Sequence, residues 1–466
     1  MTHDVIIIGG GVSGLATGHA LMMRGQDVQV LERQKTAGGN AISERFNGFL
    51  MEHGPSTFNA SLPDAVAHID ALGLLNNAQD LGPNVKRRYL RDQGKLTGIS
   101  THPLGFFLSG YLSPKARFAL MLEGLRSRNK SKAEETIHAF VTRRFGREFA
   151  DKVIDPLAAG LFMGDAQKLS INGAFARLVD MENTHGSITR AILKAKKGSA
   201  PGRHLYSWDG GIGTIPQLLS DRLGNRVHTG VTVLKLIKTS NGFEVQTTAG
   251  TRRTRAVVLA TQPHVAAGLL EYIDPDAADA AGEITAPPVN VVYFGYKREQ
   301  VGHPLDGLGY LGTKDTSRIV SGAQFCSTMY TGRAPDGYVS ISAYAGGARN
   351  PDLAKISEAE LVAQVHTELA DLLNIKGDPV LHKTRRWALG LPQYTLGHPA
   401  RVENLETTCD RVPGMFVTGN YLQGISVANC LNSAAQTAER VGATLAGQSS
   451  LLRSIPTGQK GFGVCA

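Results

Sequence analysis

The hydrophobic pattern of the amino terminus predicts a β-α-β unit. Residues 4–8 (DVIII) form a short apolar run that is typical of a buried strand, and residues 27–32 (DVQVLE) alternate like a second one. Between them, Leu15, Ala16 and Leu21 recur at helical spacing. A glycine-rich turn separates the first strand from this helix, so the segment has the order of a dinucleotide-binding unit.

Further along the chain, helical and strand patterns alternate in blocks. Residues 113–197 are mostly helical, with periodic segments from Pro114 to Leu125 and from Glu134 to Phe145. Residues 231–237 and 243–248 alternate on either side of Asn241-Gly242, which predicts a hairpin. Later segments predict buried strands at 257–261 and 415–419, a strand-rich stretch at 289–345, and helices at 358–373 and 427–446.

Composition limits the class of protein. With 466 residues, 42% of them hydrophobic and 19% charged, the chain is long enough for two or three lobes around a core and is not disordered in composition. Its net charge of +9 favours anionic partners, but no motif for nucleic-acid binding is present, so we expect no nucleic acid. The four cysteines are scattered, which predicts a reducing compartment and no structural metal.

Targeting signals do not stand out. The amino terminus lacks the pattern of a signal peptide, and no apolar run reaches the roughly 18 residues needed to span a bilayer. We therefore expect a cytoplasmic protein, and peripheral contact with the cytoplasmic membrane stays an open alternative.

The turn after the first strand has the spacing Gly9-x-Gly11-x-x-Gly14. In such a fingerprint the first glycine permits the tight turn, the second admits a pyrophosphate, and the third lets the helix pack on the sheet. The helix amino terminus then offers N–H groups to the phosphates. Glu32 ends the second strand, where a carboxylate accepts hydrogen bonds from ribose hydroxyls.

A glycine pair after Glu32 changes the prediction from NAD to FAD, and a later glycine-containing segment is a separate candidate for the flavin site. The pair Gly38-Gly39 follows Glu32 and resembles the loop that passes beside the flavin in the amine oxidase and phytoene desaturase superfamily. The strand at 415–419 ends in Gly419 and leads to a helix, whose amino terminus can stabilise negative charge developing on a flavin.

Several blocks in the right order give a more specific resemblance. They cover the chain from about residue 4 to 445 and comprise EHGPSTF (52–58), PLAAGLFMGD with KLS (156–165 and 168–170), WDGG (208–211), LPQY with GH (391–394 and 397–398) and GNYLQGISV (419–427). On these blocks the sequence resembles the oxygen-dependent protoporphyrinogen oxidases. One position departs from that pattern, since Ser56 stands where animal members carry an arginine.

The resemblance implies an α/β plus α+β fold with three parts. These are a discontinuous Rossmann-like FAD-binding domain (1–85, 205–262 and 405–450), a mixed-sheet substrate domain (86–100 and 263–404), and a helical, membrane-associating lobe (101–204). FAD would contact Gly9, Gly11, Val12, Ser13, Gly14, Glu32, Arg33, Gly38, Gly39, Val233, Trp387, Gly419 and Val427. The tetrapyrrole substrate would contact Arg88 through a propionate and Gly160 through the GLFMG turn.

The implied reaction is the oxidation of protoporphyrinogen IX to protoporphyrin IX, with hydride transfer to flavin N5 and O2 as acceptor. An electron-rich porphyrinogen needs orientation more than a strong base, so no catalytic side chain is expected. The alternatives are a related flavin oxidase or desaturase acting on a polyene, a cyclic amine or another pyrrole, and a non-catalytic binding protein. Arg87 could serve in place of Arg88, His398 is more often structural than catalytic, and a homodimer is a further hypothesis.

Overall fold

A computed structural model of the protein describes residues 2–60, 62–100, 103–129, 131, 133–194, 204–315 and 318–447. Parts of each predicted domain lie outside this description. They are residues 1, 61 and 448–450 of the FAD-binding domain, residues 316–317 of the substrate domain, and residues 101–102, 130, 132 and 195–203 of the helical lobe.

The strands within the described residues are numbered in chain order. They are β1 (Thr2–Ile8), β2 (Val28–Leu31), β3 (Ser43–Phe46), β4 (Phe49–Glu52), β5 (Phe58–Asn59), β6 (Arg87–Asp92), β7 (Lys95–Ile99), β8 (Leu205–Tyr206), β9 (Val227–His228), β10 (Val233–Thr239), β11 (Gly242–Thr247), β12 (Gly250–Leu259), β13 (Val289–Lys297), β14 (Gly307–Gly312), β15 (Val320–Gln324), β16 (Tyr338–Gly346), β17 (Leu381–Trp387) and β18 (Met415–Val417).

The helices are numbered in the same way. They are α1 (Val12–Met22), α2 (Pro63–Ala71), α3 (Pro103–Leu108), α4 (Pro114–Met121), α5 (Ile137–Phe145), α6 (Arg147–Phe149), α7 (Asp155–Phe162), α8 (Ile171–His185), α9 (Ile188–Lys194), α10 (Thr214–Leu223), α11 (Pro263–Leu270), α12 (Pro275–Gly282), α13 (Cys326–Met329), α14 (Glu358–Leu373), α15 (His398–Glu406), α16 (Thr408–Arg411) and α17 (Val427–Leu445).

The first sheet contains the predicted β-α-β unit. Its order is β10-β11-β12-β1-β2-β9, with β18 also paired to β12. β1 runs parallel to β2 and β12, and β12 runs parallel to β18. Since parallel strands end at the same edge, the glycine turn after β1, Glu32 after β2 and Gly419 after β18 meet at one edge of the sheet.

The second sheet is mixed, as predicted. Its order is β17-β13-β16-β15-β14-β6-β7, and β6 pairs with β14 in parallel while the other neighbours are antiparallel. One face packs on α14 through Val292 and Phe294. The opposite face carries Val291 and Tyr293 and packs on Phe49 of β4. This second face, which is turned toward the β3–β4 hairpin, is called the inner face below.

The described residues from Pro103 to Lys194, which follow β7, are mostly helical. The predicted helix from Pro114 to Leu125 is only partly correct, because α4 ends at Met121 and residues 122–125 form a 3₁₀ turn that includes Gly124, a poor helix former. α5 begins at Ile137 rather than near Glu134, because the Thr136 hydroxyl caps it. Among the described helices, none is both long and apolar enough to cross a membrane.

Candidate functional site

The turn between β1 and α1 accepts glycine alone at its two tightest points. Gly9 has φ +109°, and a Cβ there would lie 2.4 Å from the carbonyl oxygen of Ala260. A Cβ on Gly14 would lie 1.9 Å from the oxygen of Gly9. These contacts hold the start of α1 against the ends of β1 and β12, as the fingerprint predicts.

Gly11 is different, because its missing side chain leaves open space. The nearest atom to a Cβ on Gly11 would be the Cα of Gly39, 3.8 Å away. Gly38 donates a backbone hydrogen bond to the oxygen of Gly10 (2.8 Å) and forms a parallel bridge with Gly11. The two glycine segments therefore lie side by side and form a cradle without side chains. α1 begins at this cradle with no side-chain cap on its first N–H groups, which include those of Val12, Ser13 and Gly14.

Glu32 is fixed next to the cradle. Its carboxylate accepts hydrogen bonds from the N–H of Gly10 and the N–H of Gln34, both at 2.7 Å. Each oxygen keeps a further lone pair for a ribose hydroxyl. Arg33 is exposed beside it. The N–H of Val231 donates to the backbone carbonyl oxygen of Glu32 at 2.9 Å. Val233, at the start of β10, is two residues farther along the chain.

The amino terminus of α17 meets that of α1. Gly419 has φ +153°, and Ser426 caps α17, which begins at Val427. In the first turn of α17, burial raises the pKa of the Cys430 thiol to about 11, while a hydrogen bond with Ser13 of α1 opposes the rise. The second helix terminus predicted from the strand at 415–419 is therefore adjacent to the first.

Trp387 joins the second sheet to the segment after β4. Its indole Nε1 donates to the backbone oxygen of His53 at 2.7 Å. The next residue, Gly54, packs on the loop that follows the glycine pair, since a Cβ there would lie 2.5 Å from the oxygen of Asn40. Trp387 is thus connected to the cradle through Gly54 and Asn40.

Glu52 anchors the same segment, although the sequence suggested no role for it. Its carboxylate accepts from the N–H of Ile212 (2.9 Å) and from the hydroxyl of Ser43. Burial raises the pKa of Glu52 to about 7, and the hydrogen bonds and Arg333 only partly offset this. A Cβ on Gly211 would lie 2.5 Å from Glu52 Oε1, so the EHGPS and WDGG blocks are two sides of one contact. In the sequence, the glycines within these two blocks were the only indication of this contact.

Arg88 and Gly160, the two residues expected to contact the substrate, both lie at the inner face of the second sheet. Alternation along β6 places Tyr89 in the cluster on α14, and therefore puts Arg88 on the inner face. Leu311 pairs with Leu90 on this face, and a Cβ on Gly160 of α7 would lie 2.3 Å from Leu311 Cδ2. Arg87 lies on the opposite face, is exposed and pairs with Asp306.

His398 and Tyr394 are buried structural partners. Their rings stack at 4.0 Å, and burial lowers the pKa of His398 to about 4. The Tyr394 hydroxyl donates to the oxygen of Asn420 and accepts from the N–H of Gly424 (3.1 Å), which fixes the loop before α17. His398 is therefore neutral near pH 7.

These features fit FAD. The cradle at Gly11 has room for a pyrophosphate that any side chain there would fill, Glu32 lies beside it, and a second helix amino terminus stands farther along the same edge.

Comparison with known proteins agrees with this geometry. Residues 12–442 match the family described as flavin containing amine oxidoreductase. The chloroplastic protoporphyrinogen oxidase 1 of Arabidopsis thaliana is 30% identical, over 95% of this chain and 88% of its own length. The coproporphyrinogen III oxidase of Bacillus subtilis is 25% identical, over 92% of this chain and 95% of its own.

Solved structures show the same fold. A protein from Exiguobacterium sp. 255-15, provisionally assigned as a protoporphyrinogen oxidase, has a TM-score of 0.81 at 20% identity, covering 95% of this chain and 99% of its own. Cyclohexylamine oxidase from Brevibacterium oxydans has a TM-score of 0.71 at 16% identity, covering 96% and 100%. The chain therefore belongs to the flavin-containing amine oxidoreductase family, is an FAD-dependent oxidoreductase, and within that family resembles the protoporphyrinogen oxidases.

Proposed function

We propose that this enzyme oxidises protoporphyrinogen IX to protoporphyrin IX and uses O2 as its electron acceptor. The observation that carries the proposal is the position of Arg88 on the inner face of the second sheet, where Leu311 also contacts Gly160 of α7. An arginine beside apolar side chains such as Leu90 and Leu311 suits a flat apolar macrocycle with carboxylate substituents. The similarity to plant protoporphyrinogen oxidases supports the same substrate.

The residues of the site would bind FAD and the porphyrinogen and orient them relative to each other. Gly9, Gly11, Val12, Ser13, Gly14, Glu32, Arg33, Gly38, Gly39 and Val233 would hold the dinucleotide, and Trp387, Gly419 and Val427 would lie at the ring end. FAD supplies the acceptor for a hydride from a meso carbon of the porphyrinogen. Arg88 would pair with a propionate, and α7 around Gly160 would close over the macrocycle.

A strong base is not required by this reaction. The pyrrole nitrogens stabilise the cation that forms as hydride leaves, so correct orientation contributes most of the rate. The pKa of His398, lowered to about 4 by burial, is consistent with a structural role for this imidazole.

We also propose that the helical lobe contacts a membrane surface. It exposes large apolar side chains on α3, α4, the following 3₁₀ turn and α9, namely Leu108, Phe118, Met121, Leu125, Ile192 and Leu193. Leu125 and Leu193 are both 79% exposed. The exposed cations Lys115, Arg190 and Lys194 belong to the same segments, and Arg128 lies shortly after the 3₁₀ turn. Exposed apolar side chains beside cations are typical of a surface that binds at a membrane interface. We call this set of apolar residues the apolar surface.

The 3₁₀ turn and α9 are held together from inside. The Glu123 carboxylate accepts from the N–H groups of Ile188 and Thr189, at 3.1 and 3.0 Å, and pairs with the fully buried Arg144. Glu123 therefore holds the turn that carries Leu125 next to the start of α9.

Product analysis tests the reaction and its acceptor together. The purified enzyme, supplied with protoporphyrinogen IX in air, should form fluorescent protoporphyrin IX with one hydrogen peroxide for each two-electron step. Porphyrin without peroxide would refute O2 as the acceptor. A kcat/KM larger for coproporphyrinogen III than for protoporphyrinogen IX would show that the substrate is instead the one named for the Bacillus subtilis relative. Oxidation of an amine or polyene instead would refute the porphyrinogen assignment.

A further inference from the structure

Arg385 is a cation of the ring end that the sequence motifs did not indicate. It lies on β17 two residues before Trp387, and its guanidinium carbon is 4.0 Å from the centre of the Trp387 ring. It pairs in register with Val291 of β13, which lies on the inner face. Arg385 and Arg88 are therefore on the same face of the second sheet, on β17 and β6 respectively.

Two buried nitrogen atoms near Trp387 lack a hydrogen-bond partner. Within the described residues, neither Nε of Arg385 nor Nδ1 of His53 has a hydrogen-bond partner, and no carboxylate lies within ion-pair distance of Arg385. The two side chains are close enough to interact. Burial lowers the pKa of His53, and the charge of Arg385 lowers it further, while Glu44 opposes both. Buried donors are nearly always satisfied, so the Nε–H of Arg385 is open to a partner from outside the chain.

The position of Arg385 relates it to the cofactor. Trp387, on which it stacks, donates to His53, and Gly54 packs on Asn40 directly after the glycine pair. These contacts connect the cradle at Gly11 to Arg385 through Asn40, Gly54 and Trp387. Arg385 therefore stacks on the residue that is expected to meet the ring end of the FAD.

We propose that Arg385 binds a planar anionic group at the ring end of the site. Two sources offer this chemistry, a carboxylate of the substrate and the N1–C2–O2 edge of the flavin, which becomes negative when a hydride adds two electrons and one proton. Each presents adjacent acceptors to the donors of a guanidinium. The substrate source rests on the proposed function, whereas the flavin source rests only on the bound FAD.

The test compares Arg385→Met with Lys383→Met, an exposed cation on the same strand. Arg385→Lys keeps the charge, and Arg385→Gln keeps a polar side chain in case the Met variant does not fold. FAD content and thermal unfolding establish that each variant is intact. The two readouts are the flavin midpoint potential without substrate and the KM for the porphyrinogen.

If the anion is the reduced flavin, Arg385→Met and Arg385→Gln lower the midpoint potential by about 30 mV, a tenfold loss for a two-electron couple. Arg385→Lys, which keeps the charge but not the paired donors, lowers it less, and Lys383→Met leaves it unchanged. If the anion is a substrate carboxylate, the flavin midpoint potential of Arg385→Met and Arg385→Gln is unchanged. Their KM then rises about tenfold for the porphyrinogen with free carboxylates but not for its methyl ester. Intact, FAD-loaded variants with unchanged potential and unchanged KM would overturn the proposal. Oxidation of porphyrinogen by the wild-type enzyme tests the proposed function separately.

Discussion

The indole of Trp387 and the backbone of His53 are joined by a hydrogen bond of 2.7 Å that links the second sheet to the segment after β4, and this segment packs on the loop beside the cradle. Trp387 belongs to β17, and His53 directly follows β4. The bond joins segments separated by 334 positions, so it is one of the contacts that hold the second sheet against the segment after β4.

Replacing Gly11 with valine should remove FAD without unfolding the chain. The backbone at Gly11 is in an extended conformation open to any residue, and a Cβ there meets only Gly39, at 3.8 Å. The valine side chain would instead occupy the space for the pyrophosphate. We expect at least about tenfold weaker FAD binding, measured by flavin absorbance after dialysis. Gly268→Val, on an open position of α11, is the control and should stay yellow. A Gly11→Val protein with stoichiometric flavin would show that the pyrophosphate lies elsewhere.

The opposite placement of Arg87 and Arg88 predicts unequal effects on substrate binding. Arg88→Ala should raise KM about ten- to hundredfold with a smaller change in kcat, as expected for a lost charge-assisted hydrogen bond. Arg87→Ala removes an exposed pair with Asp306 and should leave both constants nearly unchanged. Steady-state kinetics of the two variants give both constants. Equal changes of KM in Arg88→Ala and Arg87→Ala would contradict a role of Arg88 in substrate binding.

The raised pKa of Glu52 predicts a pH dependence of stability. Between pH 4.5, its ordinary pKa, and about 7, its folded pKa, the folded protein binds the extra proton, so the free energy of unfolding falls as pH rises. The contribution is about 3 kcal/mol at most. Glu52→Gln keeps an acceptor for Ile212 and should flatten this part of the profile. Denaturant unfolding at several pH values measures it, and parallel profiles for both proteins would contradict the pKa.

Charging the apolar surface should weaken binding to membranes. Leu125→Glu with Leu193→Glu removes two side chains that are each 79% exposed, so folding should be unaffected. We expect at least about a tenfold loss of cosedimentation with anionic lipid vesicles. Tyr272→Glu, at a residue 81% exposed outside the helical lobe, is the control. Equal binding of the double variant and the wild type would rule out this surface.

Much of the fold could be predicted because its signals are local. The β-α-β unit, the hairpin at Asn241-Gly242 and the helix 358–373 all follow from periodicity and turn or cap residues, and the structure confirms each. The cradle followed from glycine spacing, since the steric demands at Gly9 and Gly14 permit little else.

The rest depends on contacts between distant segments. Glu52 meets Ile212 and Arg385 meets His53 only after the chain has folded, and no local pattern marks these residues. The faces on which Arg87 and Arg88 lie could not be predicted either, because they follow from the packing of Tyr89 against the distant helix α14. The end of α4 at Met121 was missed because helical periodicity continues into the 3₁₀ turn.

The most direct test of porphyrinogen oxidation is anaerobic mixing of the FAD-loaded enzyme with protoporphyrinogen IX in a stopped-flow spectrophotometer. We predict rapid loss of the oxidised-flavin absorbance, with a rate that saturates as the porphyrinogen concentration rises, and saturation only at higher concentrations in Arg88→Ala. A flavin that stays oxidised in the presence of excess porphyrinogen, in a protein shown to be folded and fully loaded, would contradict the proposed reaction.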